Sequence, residues 1–284
     1  MFFNDNRRLK AIWRILIFIC ALLLGISPLL LFRNSYIQFI GAVSILIYGL
    51  YLNSKYLDKI DFSEYGLVFK KETFVQLLVG LQVGFLSVVL IFLIGTSTDI
   101  LVIAKVKSAL NIPVLFLFAL KMLLVGIFEE TFFRGYLFTT IYDGFRSKKI
   151  SEKQALLIAL TVSSVFFGFA HLGTSNASFL STLFLSINGM AWCIPFIITK
   201  NLGLSIGLHT AWNLTQTLIG FTMSGNKPIN SFYIIESNGS DLLTGGEYGP
   251  EAGILGLIGF IIMLSLSLTY LISKQKMKTK HNKM

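Results

Sequence analysis

Residues Pro113–Arg134 have the sequence PVLFLFALKMLLVGIFEETFFR, an apolar run that ends in two adjacent acids and an arginine. A charged side chain at bilayer depth costs at least about 2.5–3.5 kcal/mol, so acids on such a helix indicate a functional site by default. Glu130 and Arg134 are four residues apart and share a helix face, where they can pair. Glu129 lies about 100° away round the helix. We therefore expect Arg134 to hold Glu130 and leave Glu129 free to react; a purely architectural ion pair is the alternative.

The composition is typical of a polytopic membrane protein. Hydrophobic residues make up 54% of the 284 residues and charged residues only 13%, against about 25% in soluble domains, and the mean hydropathy is +0.74. Cys20 and Cys193 both lie inside apolar runs, which indicates neither a disulfide framework nor a metal-binding motif. The first apolar run contains Arg14 and lacks a clear cleavage site, so we interpret it as a membrane span rather than a signal peptide.

Eight segments approach the length of about 20 apolar residues that a membrane span needs. They are Ile12–Phe32, Tyr36–Leu52, Thr73–Gly95, Pro113–Phe138, Gln154–His171, Ser178–Thr199, Leu202–Gly220 and Ala252–Ser273. The second segment is short, and the fourth is long enough to project beyond the hydrocarbon layer. The sequence therefore predicts an all-α fold, a polytopic bundle of about eight membrane helices. We divide it into residues 1–111 with the first three spans, a catalytic membrane core at 112–273 and a basic tail at 274–284.

The distribution of basic residues predicts the orientation of the chain. With both termini in the cytoplasm, 18 of the 24 Lys and Arg residues fall in cytoplasmic segments and four in the opposite loops. Positive residues favour the cytoplasmic side, so this orientation in a cell membrane is expected. Because the basic residues follow the topology instead of forming one patch, no nucleic-acid partner is expected. The lysine-rich tail predicts attraction to anionic lipid headgroups.

Two connections have a composition that predicts their surroundings. Asp58–Lys71 mixes charged and aromatic residues, which suits a segment at the cytoplasmic interface of the membrane. Ser224–Glu251 is the longest loop and contains four acids. We interpret its acidity as a solvated surface rather than as a metal site, and its glycines and proline as tight turns.

Two further predicted spans carry polar side chains that are expensive in a membrane. His171 closes the fifth span, and His209 and Asn213 lie four residues apart, on one face, in the seventh. A lone membrane histidine most often makes an interhelical hydrogen bond. Two histidines, an asparagine and the Glu129–Glu130 pair cost less together if all of them line one water-containing cavity, so we expect them to converge.

Such a cavity has the groups needed to hydrolyse a peptide bond. A carboxylate in partly apolar surroundings can act as a general base. Glu129, with a histidine, would then take a proton from water and direct it at a carbonyl carbon. A neutral His209 and the Asn213 amide would donate hydrogen bonds to the developing oxyanion, and one such donor is typically worth about 10²–10³ in rate.

The order of these residues resembles the motif set of the CAAX protease and bacteriocin-processing family. That family comprises intramembrane endopeptidases related to the type II CAAX prenyl endopeptidase. The matching motifs are Glu129-Glu130-x-x-x-Arg134, Phe167-x-x-x-His171 and His209-x-x-x-Asn213. The similarity covers about Pro113 to Gly220, with a weaker likeness at Gly245–Gly253.

The resemblance implies an eight-helix layout and a role for each motif residue. It implies that Glu129 and His171 activate water, and that His209 and Asn213 bind the oxyanion. It also implies that Glu130 and Arg134 support the site. Lys121, two turns before Glu129, is not part of the family pattern, and no feature of the sequence explains its presence in an apolar span.

Metal dependence is open at this stage. Glu129, His171 and His209 are a donor set that could hold zinc with one open position. The family has been described both as metalloproteases and as metal-independent glutamate proteases. Because the helix of His209 carries Asn213, a weak ligand, one turn later, we favour a mechanism without an obligatory metal.

The positions of Glu129, His171 and His209 along their predicted spans constrain how the helices can be arranged. Counted by rise per residue, Glu129 and His209 lie near the inner ends of their spans and His171 near the outer end. Glu129 and His171 meet only if the fourth and fifth spans form a long hairpin that turns near Lys149–Ile150. A separation above about 15 Å, well beyond the reach of a bridging water, would refute the catalytic interpretation.

Two other classes of function are weaker alternatives. An ion-coupled transporter can use buried acids and histidines, but usually shows internal repeats and broken helices in both halves. A non-proteolytic protein of the same fold, such as a bacteriocin immunity or regulatory partner, would keep the architecture without the reaction. The substrate is expected to be a membrane-associated peptide or protein. Whether it is prenylated, from which side it arrives and the oligomeric state are not encoded in any motif.

Overall fold

The computed structural model describes residues 8–107, 111–146, 149–228 and 230–281, with side chains up to residue 276. Helices make up most of this chain. The first five are α1 (Ala11–Ile26), α2 (Ser35–Asn53), α3 (Lys71–Ser97), α4 (Ile112–Glu130) and α5 (Thr139–Phe145). The next five are α6 (Glu152–Ala170), α7 (Phe179–Thr199), α8 (Gly203–Ile219), the short α9 (Asp241–Thr244) and α10 (Ile254–His281). Short 3₁₀ turns lie at Ser27–Leu31, Phe62–Tyr65 and Pro250–Ala252, and π-helical segments at Ser54–Asp58 and Thr131–Phe138.

Seven helices within the described residues are long and apolar enough to cross a membrane. They run over Ala11–Leu31, Ser35–Asp58, Lys71–Ser97, Ile112–Phe145, Glu152–Ala170, Phe179–Thr199 and Ile254–Lys276. Their positions confirm the prediction of a polytopic helical bundle. The second is longer than predicted, because a π-helical turn extends α2 to Asp58. The fourth is a continuous helix of 34 residues, as its long apolar pattern predicted.

Helix α8 corresponds to the seventh predicted span, Leu202–Gly220, but is not among these seven helices. It has 17 residues, so it is too short to be among these seven, and every residue in it except Leu214 and Leu218 is buried. An apolar sequence of this kind is satisfied by packing inside a bundle as well as by lipid. Apolarity alone therefore did not distinguish a central helix from a lipid-facing one.

Glycines allow α3 to pack closely against α8. A Cβ atom added at Gly80 would lie 2.4 Å from the Leu204 carbonyl oxygen, and one added at Gly207 would lie 2.3 Å from the Leu77 carbonyl oxygen. Gly84 makes a similar approach to the Leu208 carbonyl. Small residues at a helix–helix contact let the two backbones approach, which is the common solution in membrane bundles. This contact fixes the height of α8, and hence of His209, in the bundle.

The helix starts that flank the core are capped by side chains. The Asn111 side chain accepts from the Val114 amide at the start of α4, where Pro113 occupies the first turn and needs no backbone partner. Ser151 and Gln154 form a capping box at the start of α6, and Ser178 and Ser181 form one at the start of α7. Each box satisfies amides that a helix leaves unpaired at its N-terminus.

A small sheet was not predicted from the sequence. Strand β1 (Leu101–Val106) pairs antiparallel with β2 (Tyr233–Ser237), and the register joins Leu101 to Ser237 and Val106 to Tyr233. The strands come from the α3–α4 connection and the long loop before α10. Short apolar runs between spans have no helical period, and their pairing depends on a partner more than 120 residues away.

Buried ionic contacts join α1 to the ends of α2 and α5. Arg14 is 1% exposed and donates to the fully buried carboxylate of Asp58 and to Asp143. Asn53 and Tyr65 also donate to Asp58. The predicted interfacial segment is thus partly a core element, because Asp58 and Tyr65 lie inside the bundle while Phe69 is 90% exposed.

The long loop also departs from the prediction at one residue. Glu236, Asp241 and Glu247 are exposed, as expected of a solvated surface. Glu251 is 3% exposed, and its carboxylate accepts from the backbone amide and hydroxyl of Ser224. Five basic residues used to predict the orientation lie outside the described side chains: Arg7, Lys148, Lys278, Lys280 and Lys283.

Candidate active site

The acidic pair lies where α4 changes its winding. Glu129 and Glu130 are the last residues of α4, and the π-helical segment Thr131–Phe138 follows directly and carries Arg134. Single π-helical turns inside α-helices occur often at functional sites. His171 is the residue that ends α6, and His209 and Asn213 lie in α8. Four segments of the chain thus supply the polar residues.

The side chains predicted to converge do so around Glu129. Its Oε2 atom lies 3.8 Å from Nε2 of His171 and 3.8 Å from Nε2 of His209. That oxygen is buried and has no hydrogen-bond partner among the described residues. The separation is far below the 15 Å limit set from the sequence. The hairpin needed for this meeting is present, since the chain turns between the end of α5 at Phe145 and the start of α6 at Glu152.

Glu130 is held from two sides. Its Oε1 atom accepts from Arg134 Nη1 at 3.1 Å, which confirms the predicted ion pair, and lies 2.8 Å from Nδ1 of His209. Arg134 also donates to the Gly189 carbonyl, and its guanidinium lies 4.4 Å from the centre of the Phe167 ring. The contact between Glu130 and His209 joins α4 to α8, and no pattern in the sequence indicated it.

The ring of each histidine is oriented by a contact of its Nδ1 atom. Nδ1 of His171 lies 2.8 Å from the Phe167 carbonyl oxygen, which can only accept, so Nδ1 carries a proton and Nε2 faces Glu129. Nδ1 of His209 faces the Glu130 carboxylate in the same way. The His209 ring also stacks on Trp192, with 4.1 Å between ring centres and 14° between planes. Both rings are therefore fixed by contacts outside the three-residue cluster.

A cavity of about 580 Å³ opens in front of these groups. Glu129, His171, His209 and Asn213 all line it, while Glu130 and Arg134 lie behind it and are 0% and 1% exposed. This volume is within the usual range for small-molecule and peptide sites. The exposed surface of the wall is largely apolar, and the wall also includes polar residues of other segments, such as Ser35, Lys121 and Asn230.

Asn188 is a cavity residue that sequence reasoning missed. It lies in α7 and is 0% exposed, and neither its side-chain oxygen nor its nitrogen has a hydrogen-bond partner among the described residues. A buried amide without partners is costly, and in a cavity wall it is available to a ligand or to water. The signal was present in the sequence as a single amide inside an otherwise apolar span, but no motif contains it.

Loop residues close the cavity near His171. Thr174 lines it, and its hydroxyl donates to the Tyr248 phenol at 3.3 Å. Burial raises the pKa of Tyr248 to about 12. Glu251 also lines the cavity and holds Ser224. The long loop before α10 is therefore part of the cavity wall.

The three donors do not form a ready metal site. Two donors about 2.0–2.2 Å from a tetrahedral zinc lie roughly 3.3 Å apart, whereas Glu129 Oε2 is 3.8 Å from each histidine nitrogen. Within the described residues, no group of three or more His, Cys, Asp and Glu side chains is placed to hold a metal ion.

A comparison with known protein families gives a match to the central part of the chain. Residues 111–215 match the family model described as type II CAAX prenyl endopeptidase Rce1-like. The chain carries an Rce1-like domain. The matched residues run from the cap of α4 into α8 and include Glu129, Glu130, Arg134, His171, His209 and Asn213. No curated protein and no solved structure gives a match.

The family confirms the resemblance drawn from the motifs and supports protease activity in general. With seven apolar helices, it identifies a multi-pass membrane protein. It does not choose between a glutamate-type and a metallo mechanism, and it lends no support to an immunity role. The division into residues 1–111, 112–273 and 274–284 stays a prediction.

Proposed function

We propose that this Rce1-like protein is an intramembrane endopeptidase that hydrolyses a peptide bond of a membrane-associated protein or peptide, with water activated by Glu129. One observation carries the proposal: the free Glu129 carboxylate oxygen lies 3.8 Å from two histidine nitrogens at the end of a 580 Å³ cavity. A purely architectural ion pair would need only Glu130 and Arg134. It gives no reason for a second carboxylate that faces the cavity.

Water activation follows from two acceptors placed side by side. A water molecule that donates one proton to Glu129 Oε2 and the other to His171 Nε2 directs its lone pair at a carbonyl carbon in the cavity. As the oxygen attacks, Glu129 takes the proton, and it then passes that proton to the nitrogen of the leaving amine. Such positioned proton transfer contributes about 10²–10⁴ in rate.

The oxyanion is bound on the side of α8. Glu130 pairs with Arg134 and accepts the Nδ1 proton of His209, so Nε2 of His209 carries a proton only when the ring is an imidazolium. We therefore replace the neutral His209 expected from the sequence with a charged one. Together with Glu129, Glu130 and Arg134, this charge makes the cluster neutral overall, which favours it in a medium of low dielectric constant. His209 and the Asn213 amide then donate to the oxyanion.

Other residues of the cavity wall would bind the substrate. The unpartnered amide of Asn188 can accept from and donate to a peptide group, which matches the needs of an extended backbone. The apolar residues of α4 suit hydrophobic side chains. A catalytic metal, if the enzyme used one, would have to be held by Glu129, His171 and His209. That role would require His209 to be neutral, which is the opposite of its proposed form.

The test compares membrane peptides from cells with wild-type protein and with Glu129→Gln. We expect specific cleavage products in the wild type that the variant lacks. Glu64→Gln, the same change at an exposed acid of the α2–α3 connection, is the matched control and should cleave normally. Unchanged products in Glu129→Gln would refute the proposal. Loss of ion-coupled uptake in that variant, without any product, would indicate a transporter instead.

A further inference from the structure

Lys121 is a cavity residue for which neither the reaction nor the family motifs give a reason. It lies in α4 and lines the same cavity as Glu129. Among the described residues it has no carboxylate or hydrogen-bond partner, and its ammonium lies 5.4 Å from the centre of the Phe39 ring. A cation within a membrane span is expensive and usually paired. The aromatic face compensates only part of that cost, so Lys121 is left with capacity for an anion.

The cavity follows one face of α4. That face is formed by Val114, Leu115, Phe118, Lys121, Met122, Val125 and Glu129. At about 1.5 Å per residue, it runs for roughly 22 Å, and Lys121 lies about 12 Å from Glu129 along the axis. A second, exposed lysine, Lys227, lines the cavity from the loop after α8. The cavity is thus elongated along α4, with Glu129 and the histidines at one end of this face and Lys121 further along.

We infer that Lys121 binds a carboxylate of the substrate, and that this carboxylate lies about four residues from the bond that is cut. The inference rests on the proposed endopeptidase function. An extended peptide advances about 3.3 Å per residue, so about four residues cover the 12 Å between Glu129 and Lys121. An ammonium in an apolar wall attracts a carboxylate strongly because little water screens the pair. The carboxylate is either the free C-terminus of the peptide or the side chain of Asp or Glu.

The test measures binding with catalysis switched off. Full-length Glu129→Gln protein in detergent is titrated with a fluorescein-labelled decapeptide rich in leucine and alanine. Three probes are used: the free acid, the C-terminal amide, and the amide with one aspartate moved along the chain. We expect an acidic probe to bind at least about tenfold more tightly than the neutral amide. The free acid and the aspartate series distinguish the two sources of the carboxylate.

Variants of Lys121 then test whether this lysine causes the preference for an acidic probe. Lys121→Gln should remove the preference for the acidic probe, and Lys121→Arg should keep it. Lys105→Gln, which removes a lysine from β1 outside the cavity, should bind like the parent. Lys121→Glu should reverse the preference in favour of a probe with lysine in place of aspartate, which also shows that the variant is folded.

The two proposals fail in different ways. The inference is overturned if acidic and neutral probes bind alike, including no measurable binding of either, or if Lys121→Gln keeps the preference. The proposed function is overturned if the Lys121-dependent preference is present but the wild-type protein cleaves none of the probes that it binds and no membrane peptides.

Discussion

At the scale of single residues, the site depends on which nitrogen of each histidine carries a proton. His171 is fixed by the Phe167 carbonyl and His209 by the Glu130 carboxylate. In the proposed mechanism, His171 accepts a hydrogen bond from water and His209 donates one to the oxyanion. We expect these roles to depend on the backbone and carboxylate partners behind the cavity as well as on the histidines themselves.

Asn213 is expected to act only when the oxyanion forms. Asn213→Ala should lower kcat by about 10²–10³ with little change in KM, because the amide stabilises the transition state more than the bound substrate. Steady-state cleavage of an identified substrate is the measurement. Asn238→Ala removes the same group from an exposed loop and should have no effect. A rise in KM at constant kcat would place Asn213 in substrate binding instead.

Removal of metal ions distinguishes the glutamate-type mechanism from the metallo mechanism, both of which are compatible with the family match. We expect purified protein to keep its activity after treatment with EDTA and 1,10-phenanthroline, since every step of the proposed chemistry is assigned to a side chain and none to a metal ion. Cleavage rate and bound zinc are measured on the same sample. Loss of activity that zinc restores would contradict the charged His209 and require the neutral form.

At the scale of helices, the α3–α8 contact decides where His209 and Asn213 lie. This contact is built on backbone approach, so it has no room for a methyl group at Gly80 or Gly207. A change there moves a whole helix rather than one side chain. The site is therefore sensitive to residues that never touch substrate.

Gly207→Ala is expected to reduce both stability and activity. Its new Cβ atom would lie 2.3 Å from the Leu77 carbonyl oxygen, and overpacking of this kind typically costs about 1–3 kcal/mol. Thermal unfolding in detergent and cleavage rate are the measurements. The control is Gly173→Ala, because Gly173 lies two residues from His171, as Gly207 does from His209, but has nothing within 4 Å of an added Cβ. Equal behaviour of the two variants would disprove the packing argument.

At the scale of the whole molecule, the charge distribution predicts an orientation that the fold does not test. Both termini are expected in the cytoplasm, which places β1, β2 and the long loop outside. Because that loop contributes Ser224 and Lys227 to the cavity wall, the same orientation would open part of the cavity toward the outside.

Cysteine labelling checks this orientation. In a background with Cys20→Ser and Cys193→Ser, a membrane-impermeant maleimide should label Lys105→Cys in intact cells. Lys70→Cys, which is equally exposed at the other end of α3, should react only after the membrane is permeabilised. The reverse pattern would place both termini outside and invert every loop.

Local pattern in the sequence was enough to predict seven spans, the Glu130–Arg134 pair and the motif residues that meet around Glu129. These features follow from hydrophobic length and helical period, which are properties of neighbouring residues. The tertiary structure alone decided that α8 is a buried central helix, that Glu130 also holds His209, that Asn188 is left without a partner, and that β1 pairs with β2. Each of these depends on which distant parts of the chain lie opposite each other, and the local period of a helix or strand does not specify its partner.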